Sequence, residues 1–83
     1  MKLEVLTPDR HVFSGEVTSV KVPGSEGEFE VLNNHSALVS SLKTGKVRII
    51  KKGGEKQTFK IGSGFIEVLR NEISLLVQGY TEE

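Results

Sequence analysis

The sequence predicts an all-β domain, a sandwich or flattened barrel of two packed sheets. Three observations predict it. Apolar residues alternate with polar ones at a period of two, as on a half-buried strand. Turn-forming clusters punctuate the chain at roughly the 8–12-residue spacing of small sandwiches and barrels. No stretch sustains a 3.6-residue period over the ~11 residues of an ordinary helix.

Taken in order, Leu3, Val5 and Thr7 alternate with Lys2, Glu4 and Leu6, and Pro8-Asp9 marks a turn. Val12 to Val22 is a long run rich in β-branched residues, interrupted by Gly15, where a bulge or a bend between sheets is expected. Pro23-Gly24-Ser25-Glu26-Gly27 is the strongest breaker cluster, followed by a short strand through Phe29, Val31 and Leu32. Asn33-Asn34-His35-Ser36 reads as a polar turn. Ala37, Leu38, Val39 and Leu42 fit either one helical turn or a short strand. Val47 to Ile50 and Thr58 to Ile61 flank Gly53-Gly54, two glycines suited to a tight hairpin with positive φ at both centres. Gly62-Ser63-Gly64 opens the strand Phe65 to Leu69, and Asn71-Glu72 turns into a last strand, Ile73 to Val77. The count is about eight to ten short strands.

A chain of 83 residues makes one domain, residues 1–83. At that size roughly 60–65% of the unfolded chain's surface is buried, and a stability on the order of 5 kcal/mol is expected. Little room remains for a deep catalytic cleft beside the core. Lysine plus arginine balances aspartate plus glutamate at 11 each, so nothing in the net charge draws the chain to nucleic acid or anionic lipid. The absence of cysteine excludes disulfides, thiolate metal sites and thiol nucleophiles. No apolar run approaches the ~20 residues of a membrane-spanning helix, and Met1-Lys2-Leu3-Glu4-Val5 has no signal-peptide core. The chain is expected to stay in the compartment where it is made and to meet a membrane only by docking on another protein.

Residue patterns for chemistry are weak. His11 and His35 lie outside any nucleophile motif such as G-x-S-x-G, and two histidines without cysteine make a poor zinc set. Gly24-Ser25-Glu26-Gly27-Glu28 lacks the Lys-Ser/Thr ending of a phosphate loop, and its glutamates would repel a phosphate. Gly62-Ser63-Gly64 precedes a strand, so it offers no helix N-terminus to an anion. Four phenylalanines and one tyrosine, most of the phenylalanines being expected in the core, leave no aromatic platform for single-stranded nucleic acid. A lipoyl-like carrier or adaptor β-domain has this size, but Lys51-Lys52-Gly53-Gly54 is a lysine-bearing tip without the carrier motif. No catalytic residue, metal site or cofactor is expected. One feature stands apart. If Ile66 and Val68 face the core, Phe65 and Leu69 face outward; if Ile73, Leu75 and Val77 face inward, Leu76 faces outward. Such a face is either a partner surface or is covered within the sandwich.

Four ordered blocks carry a family resemblance. Gly24-Ser25-Glu26-Gly27-Glu28-Phe29-Glu30-Val31-Leu32-Asn33-Asn34-His35-Ser36-Ala37-Leu38-Val39 resembles G-x-x-G-E-F-G-V-L-P-G-H-x-P-L-L, a signature of the epsilon subunit of F-type ATP synthases. Phe13-Ser14-Gly15-Glu16-Val17 resembles its F-S-G-x-V, Leu42 to Ile49 its L-K-x-G-x-V-R-I, and Ser63 to Val68 its G-G-F-V-E-V. The departures are Glu30 for Gly, Asn33 for Pro, Asn34 for Gly and Ala37 for Pro. Asparagine tolerates the left-handed backbone best after glycine, so Asn34 is expected to keep the turn.

The resemblance implies a ten-stranded β-sandwich at the foot of the central stalk, non-catalytic in itself. It implies that the domain docks the gamma subunit to the c-ring, reaches the alpha/beta catalytic head indirectly, and helps couple proton flow to ATP synthesis or hydrolysis. The implied location is peripheral, on the cytoplasmic face of the bacterial inner membrane. By position, Glu28 and Glu26 fall in the loop facing the c-ring, and His35 lies near gamma. Phe65, Leu69 and Leu76 are then the expected apolar contact for gamma. Most family members continue into a two-helix hairpin that can inhibit hydrolysis and in some binds ATP. This chain stops at Thr81-Glu82-Glu83, as a short member or part of a longer one, so the expectation is the rotor-docking half without that arm.

Overall fold

A computed structural model describes residues 1–83, and strands carry most of them. The nine strands are β1 (Lys2–Thr7), β2 (Arg10–Gly24), β3 (Gly27–Leu32), β4 (Leu38–Leu42), β5 (Gly45–Lys51), β6 (Lys56–Ile61), β7 (Ser63–Leu69), β8 (Glu72–Gln78) and β9 (Thr81–Glu82). The all-β sandwich expected from the sequence is what forms, with nine strands rather than ten.

The long strand β2 belongs to both sheets. Its first half pairs antiparallel with β1, from Thr7↔Arg10 to Lys2↔Glu16. Its second half pairs with β5 on one side and β3 on the other. β1 continues in parallel to β8, then antiparallel to β7 and β4, and β4 returns to β2 at Gly24↔Leu42. The second layer runs β3-β2-β5-β6-β9.

Passing from one sheet to the other requires β2 to bend, and two bulges do this. The register slips between Val17 and Ser19, leaving Thr18 unpaired with β5, and again opposite Val5 and Leu6, leaving Val12 extra. An extra residue resets which face the following side chains take. Val17 and Val20, three apart, can therefore both be buried. Gly15, where the sequence suggests the bend, instead sits in regular register opposite Leu3. Its lack of a side chain makes room for the Phe13 ring, whose nearest atom lies 3.3 Å from where a Cβ would be.

The segment that fits either a helical turn or a strand is β4, because it completes the ladder with β7 from Leu38↔Val68 to Leu42↔Gly64. Gly53 and Gly54 both have positive φ (103° and 97°), as expected, but the loop is longer than a tight two-residue turn, closed by Lys51 N–H donating to Glu55 at 2.8 Å. The two-residue primed turn is Arg70-Asn71, with φ of 52° and 64°, one position earlier than the sequence suggests. Asn34 is left-handed at 65°, as its family position implies. Asn71 ties these two turns together. Its Oδ1 accepts Asn34 N–H and its Nδ2 donates to Asn33 Oδ1, both at 2.8 Å. Strand β9, only two residues long, is too short to show any alternation.

The core is a single cluster of 16 residues, aliphatic except for Phe59. The expectation that most phenylalanines are core is corrected: Phe13 and Phe29 pack only at its margin, and Phe65 is exposed. Alternation explains this, since Phe65 lies one position from buried Ile66.

Two outcomes follow for stability. Ile49→Val should lower the unfolding free energy by about 0.5–1.5 kcal/mol, and Phe59→Ala by about 3–5 kcal/mol, enough to remove most of the margin. Urea midpoints at constant m-value read both. Asn71→Gly keeps the left-handed backbone but loses the two side-chain bonds, and should cost about 1–2 kcal/mol. Asn71→Ala adds roughly 1 kcal/mol of backbone strain, so it should melt below the glycine variant.

A candidate docking surface

The outward face of β7 and β8 carries the apolar residues singled out in the sequence. Phe65 and Leu76 are directly opposite each other across the ladder, 58% and 51% exposed. Their neighbours Ile66, Leu75 and Val77 turn inward and are fully or almost fully buried. These strands are thus covered on one face only, and the alternative in which the sandwich itself covers Phe65, Leu69 and Leu76 does not form. Leu6 of β1 lies beside Leu76 in parallel register, and Pro8 closes the row. Together they line a groove of about 480 Å³, with Ser41 and Gln78 at its rim. Gly64 sits in its floor because β8 approaches closely there: a Cβ would stand 2.5 Å from the Leu76 carbonyl.

The acidic candidates lie next to this groove. Gly24↔Gly27 closes the β2–β3 hairpin, which puts Glu26 at the tip and Glu28 on the next rung, opposite Pro23. Glu28 is exposed and its carboxylate is 3.3 Å from Lys21 Nζ. Ser41 joins the two regions. Its carbonyl accepts Ser25 N–H at 3.0 Å, its hydroxyl lies 2.7 Å from that of Ser25, and it pairs with Phe65 in the β4–β7 ladder. Glu26, Glu28, Phe65 and Leu76 therefore share one continuous surface.

Leu69 and His35 do not join it. Leu69 is opposite Glu72, four residues beyond Phe65, or about 13 Å along the strand. The Glu67–Ser74 rung separates it from the Phe65–Leu76 pair. His35 is at the same far end, in the β3–β4 turn, where its N–H donates to Leu32 at 3.1 Å and its Nδ1 lies 2.7 Å from the Ser36 carbonyl. Its position is that of a turn-closing residue. Val39, 72% exposed on β4 opposite Glu67, is an apolar surface residue that sequence reading passed over. The signal is present, since Leu38 and Leu42 face inward and Val39 is out of phase with them.

Glu30, where the family has glycine, bonds back to its own domain. Arg48 Nη2 donates to its Oε2 at 2.8 Å, and the hydroxyl of Ser19 donates to the same oxygen. This cluster crosses three adjacent strands, β3, β2 and β5. At the other hairpin tip, Lys51 lies over the Phe13 ring at 5.5 Å and near Glu55. His11 meets Glu4 at 3.4 Å, and no three His, Cys, Asp or Glu residues converge as metal ligands.

The sequence profile of the ATP synthase delta/epsilon chain β-sandwich domain matches residues 1–83. An ATP synthase epsilon chain of Chlorobium limicola is 43% identical over 77 residues, covering 93% of this chain and 88% of that one. That of a Nitratiruptor species is 43% identical over 79 residues, covering 95% of this chain and 61% of its own length. Among solved structures, a chain of the Euglena gracilis mitochondrial ATP synthase (OSCP/F1/c-ring) superposes with a TM-score of 0.90 at 24% identity, over 96% of this chain and 51% of that one. A chain of the Tetrahymena thermophila mitochondrial ATP synthase central stalk/c-ring superposes at 0.82 and 18% identity, over 98% and 65%. At those identities the structural likeness speaks for the fold, while the profile and the curated relatives speak for kinship. This chain belongs to the delta/epsilon chains of ATP synthase and folds as their β-sandwich domain.

Proposed function

We propose that this domain is a non-catalytic docking element of the ATP synthase rotor, seated between gamma and the c-ring. In that position it transmits torque as proton flow is coupled to ATP synthesis or hydrolysis. Family membership supports the setting. The observation that carries the docking reading is the joining, through Ser41, of the apolar Phe65–Leu76 groove to the acidic Glu26–Glu28 tip.

The two regions suit different neighbours. Phe65 and Leu76 offer apolar area that a subunit interface would bury, worth about 1.5–3 kcal/mol per side chain. That suits gamma. Glu28 and Glu26, at an exposed tip, suit polar or basic groups on the c-ring loops. Leu69 and His35 lie at the opposite end, so in this reading they contribute to gamma only if its contact runs the length of β7. The alpha/beta head is reached indirectly. The membrane is met only through the complex, on the cytoplasmic face of the bacterial inner membrane. What the role demands is rigidity, and a domain closed by two bonded sheets supplies it.

Leu76→Asp should leave the isolated domain's unfolding free energy, read by urea titration, within about 0.5 kcal/mol of the parent, because an exposed site carries little folding energy. It should weaken gamma retention about 30-fold, the loss of roughly 2 kcal/mol expected at a central anchor. Full retention of gamma would sink the gamma assignment. Glu28→Lys breaks only an exposed ion pair with Lys21, so stability should change by less than about 1 kcal/mol. Co-purification of the c-ring should fall about tenfold at low salt, with a shallower or reversed dependence on salt, because screening now weakens a repulsion instead of an attraction. Undiminished ring recovery would remove Glu28 from the contact.

A further inference from the structure

Strand β3 is the outermost strand of its sheet and pairs with β2 alone. The direction of its free backbone groups can be worked out. Pro23 has no N–H, and its carbonyl accepts Lys43 N–H at 2.9 Å on the side away from β3. Backbone groups alternate sides along a strand. Val20, Val22 and Gly24 therefore bond to β3, while Ser19 and Lys21 bond to β5. On β3 the bonded residues are Gly27, Phe29 and Val31, and those of Glu28, Glu30 and Leu32 point outward. The Leu32 carbonyl is taken by His35 N–H. The N–H groups of Glu28, Glu30 and Leu32 and the carbonyls of Glu28 and Glu30 are left as an unpaired row, which is a template for one more strand.

We infer that this edge receives an extended segment of a partner chain that carries Lys or Arg opposite Glu28 and Glu30. The inference rests on the rotor reading, because the partner is sought in that assembly. Charge selects the occupant. Lys21 approaches Oε1 of Glu28 and Arg48 bonds Oε2 of Glu30, which leaves the second oxygen of each carboxylate for an incoming donor. A second copy of β3 fits poorly. Antiparallel self-pairing with the side chains in phase sets Glu28 against Glu30 or Glu30 against itself, and like charges directly opposite are destabilising. Leu32, 53% exposed, ends the row with an apolar contact.

Amide-resolved hydrogen exchange tests this on the free chain and on the complex purified through it from membranes. In the free chain Glu28 and Glu30 amides should exchange fast, while Phe29 and Val31 exchange slowly. In the complex the two glutamate amides should slow about tenfold or more, the equivalent of one net hydrogen bond each. Fast exchange in both states overturns the edge proposal and leaves the rotor reading standing. Failure of the chain to enter the complex overturns both. Protection that appears in the free chain on raising its concentration overturns it in favour of self-pairing. Glu30→Pro deletes an N–H from the free edge alone, and Glu30→Ala keeps that N–H while equally losing the Arg48 pair. With Phe29 and Val31 amides still protected, the proline variant should be retained about tenfold more weakly than the alanine variant. Equal retention overturns the proposal.

Discussion

The rest of the molecule depends on β2 serving two sheets. A 15-residue strand would extend about 50 Å if straight, twice the 25 Å of the domain's middle dimension. It must bend, and the Thr18 bulge is where it does so while both ladders continue. The bulge also shifts the inward phase by one, so Val17 and Val20 both reach the core. Without it, the sequence from Ser19 to Val22 would present its polar residues inward. Closure through Gly24↔Leu42 and the parallel β1–β8 pairing then joins the layers into one unit.

Closure leaves outer faces whose composition the core does not dictate. On β7 and β8 every second residue is spent on the core, and the alternate ones are free to be Phe65, Glu67, Leu69, Ser74 and Leu76. On the other sheet the outward positions are charged and cross-paired: Lys21 with Glu28, Arg48 with Glu30, Lys46 and Lys60 with Glu83. Such exposed pairs contribute little to stability. They keep that face largely polar, with Leu32 at the end of β3 as its exposed apolar residue. Glu30 fits this pattern. Where the family has glycine, a charge is accommodated because Arg48 and Ser19 are in reach to pair with it.

Much of the fold was legible because alternation is a local signal. The inward sets Ile66/Val68 and Ile73/Leu75/Val77, and the outward Phe65, Leu69 and Leu76, follow from phase alone. What escaped depends on pairing. Gly15 resembles the bend because glycine marks bulges, yet the slip sits at Thr18 and Val12, where register with β5 and β1 decides. Arg70 in a left-handed turn has no sequence mark; the bonds of Asn71 to the neighbouring loop help hold it. Grouping Leu69 and His35 with Phe65 and Leu76 takes apolar character or family position as a guide to proximity. Only the ladder puts about 13 Å between Leu69 and Phe65.

Under the proposed docking role, folding and docking are therefore separable in this domain. The core residues Leu75 and Ile66 are almost inaccessible to a partner, and the groove residues Leu76 and Phe65 contribute little to the core, though each is the chain neighbour of the other kind. A surface built this way can change partner affinity by single substitutions without loss of fold. The exception is Gly64, which belongs to both. Its absent side chain lets β8 approach β7, and the same gap shapes the groove floor. A side chain there would meet the Leu76 carbonyl, so glycine at position 64 is explained by the closeness of two strands before any partner is considered.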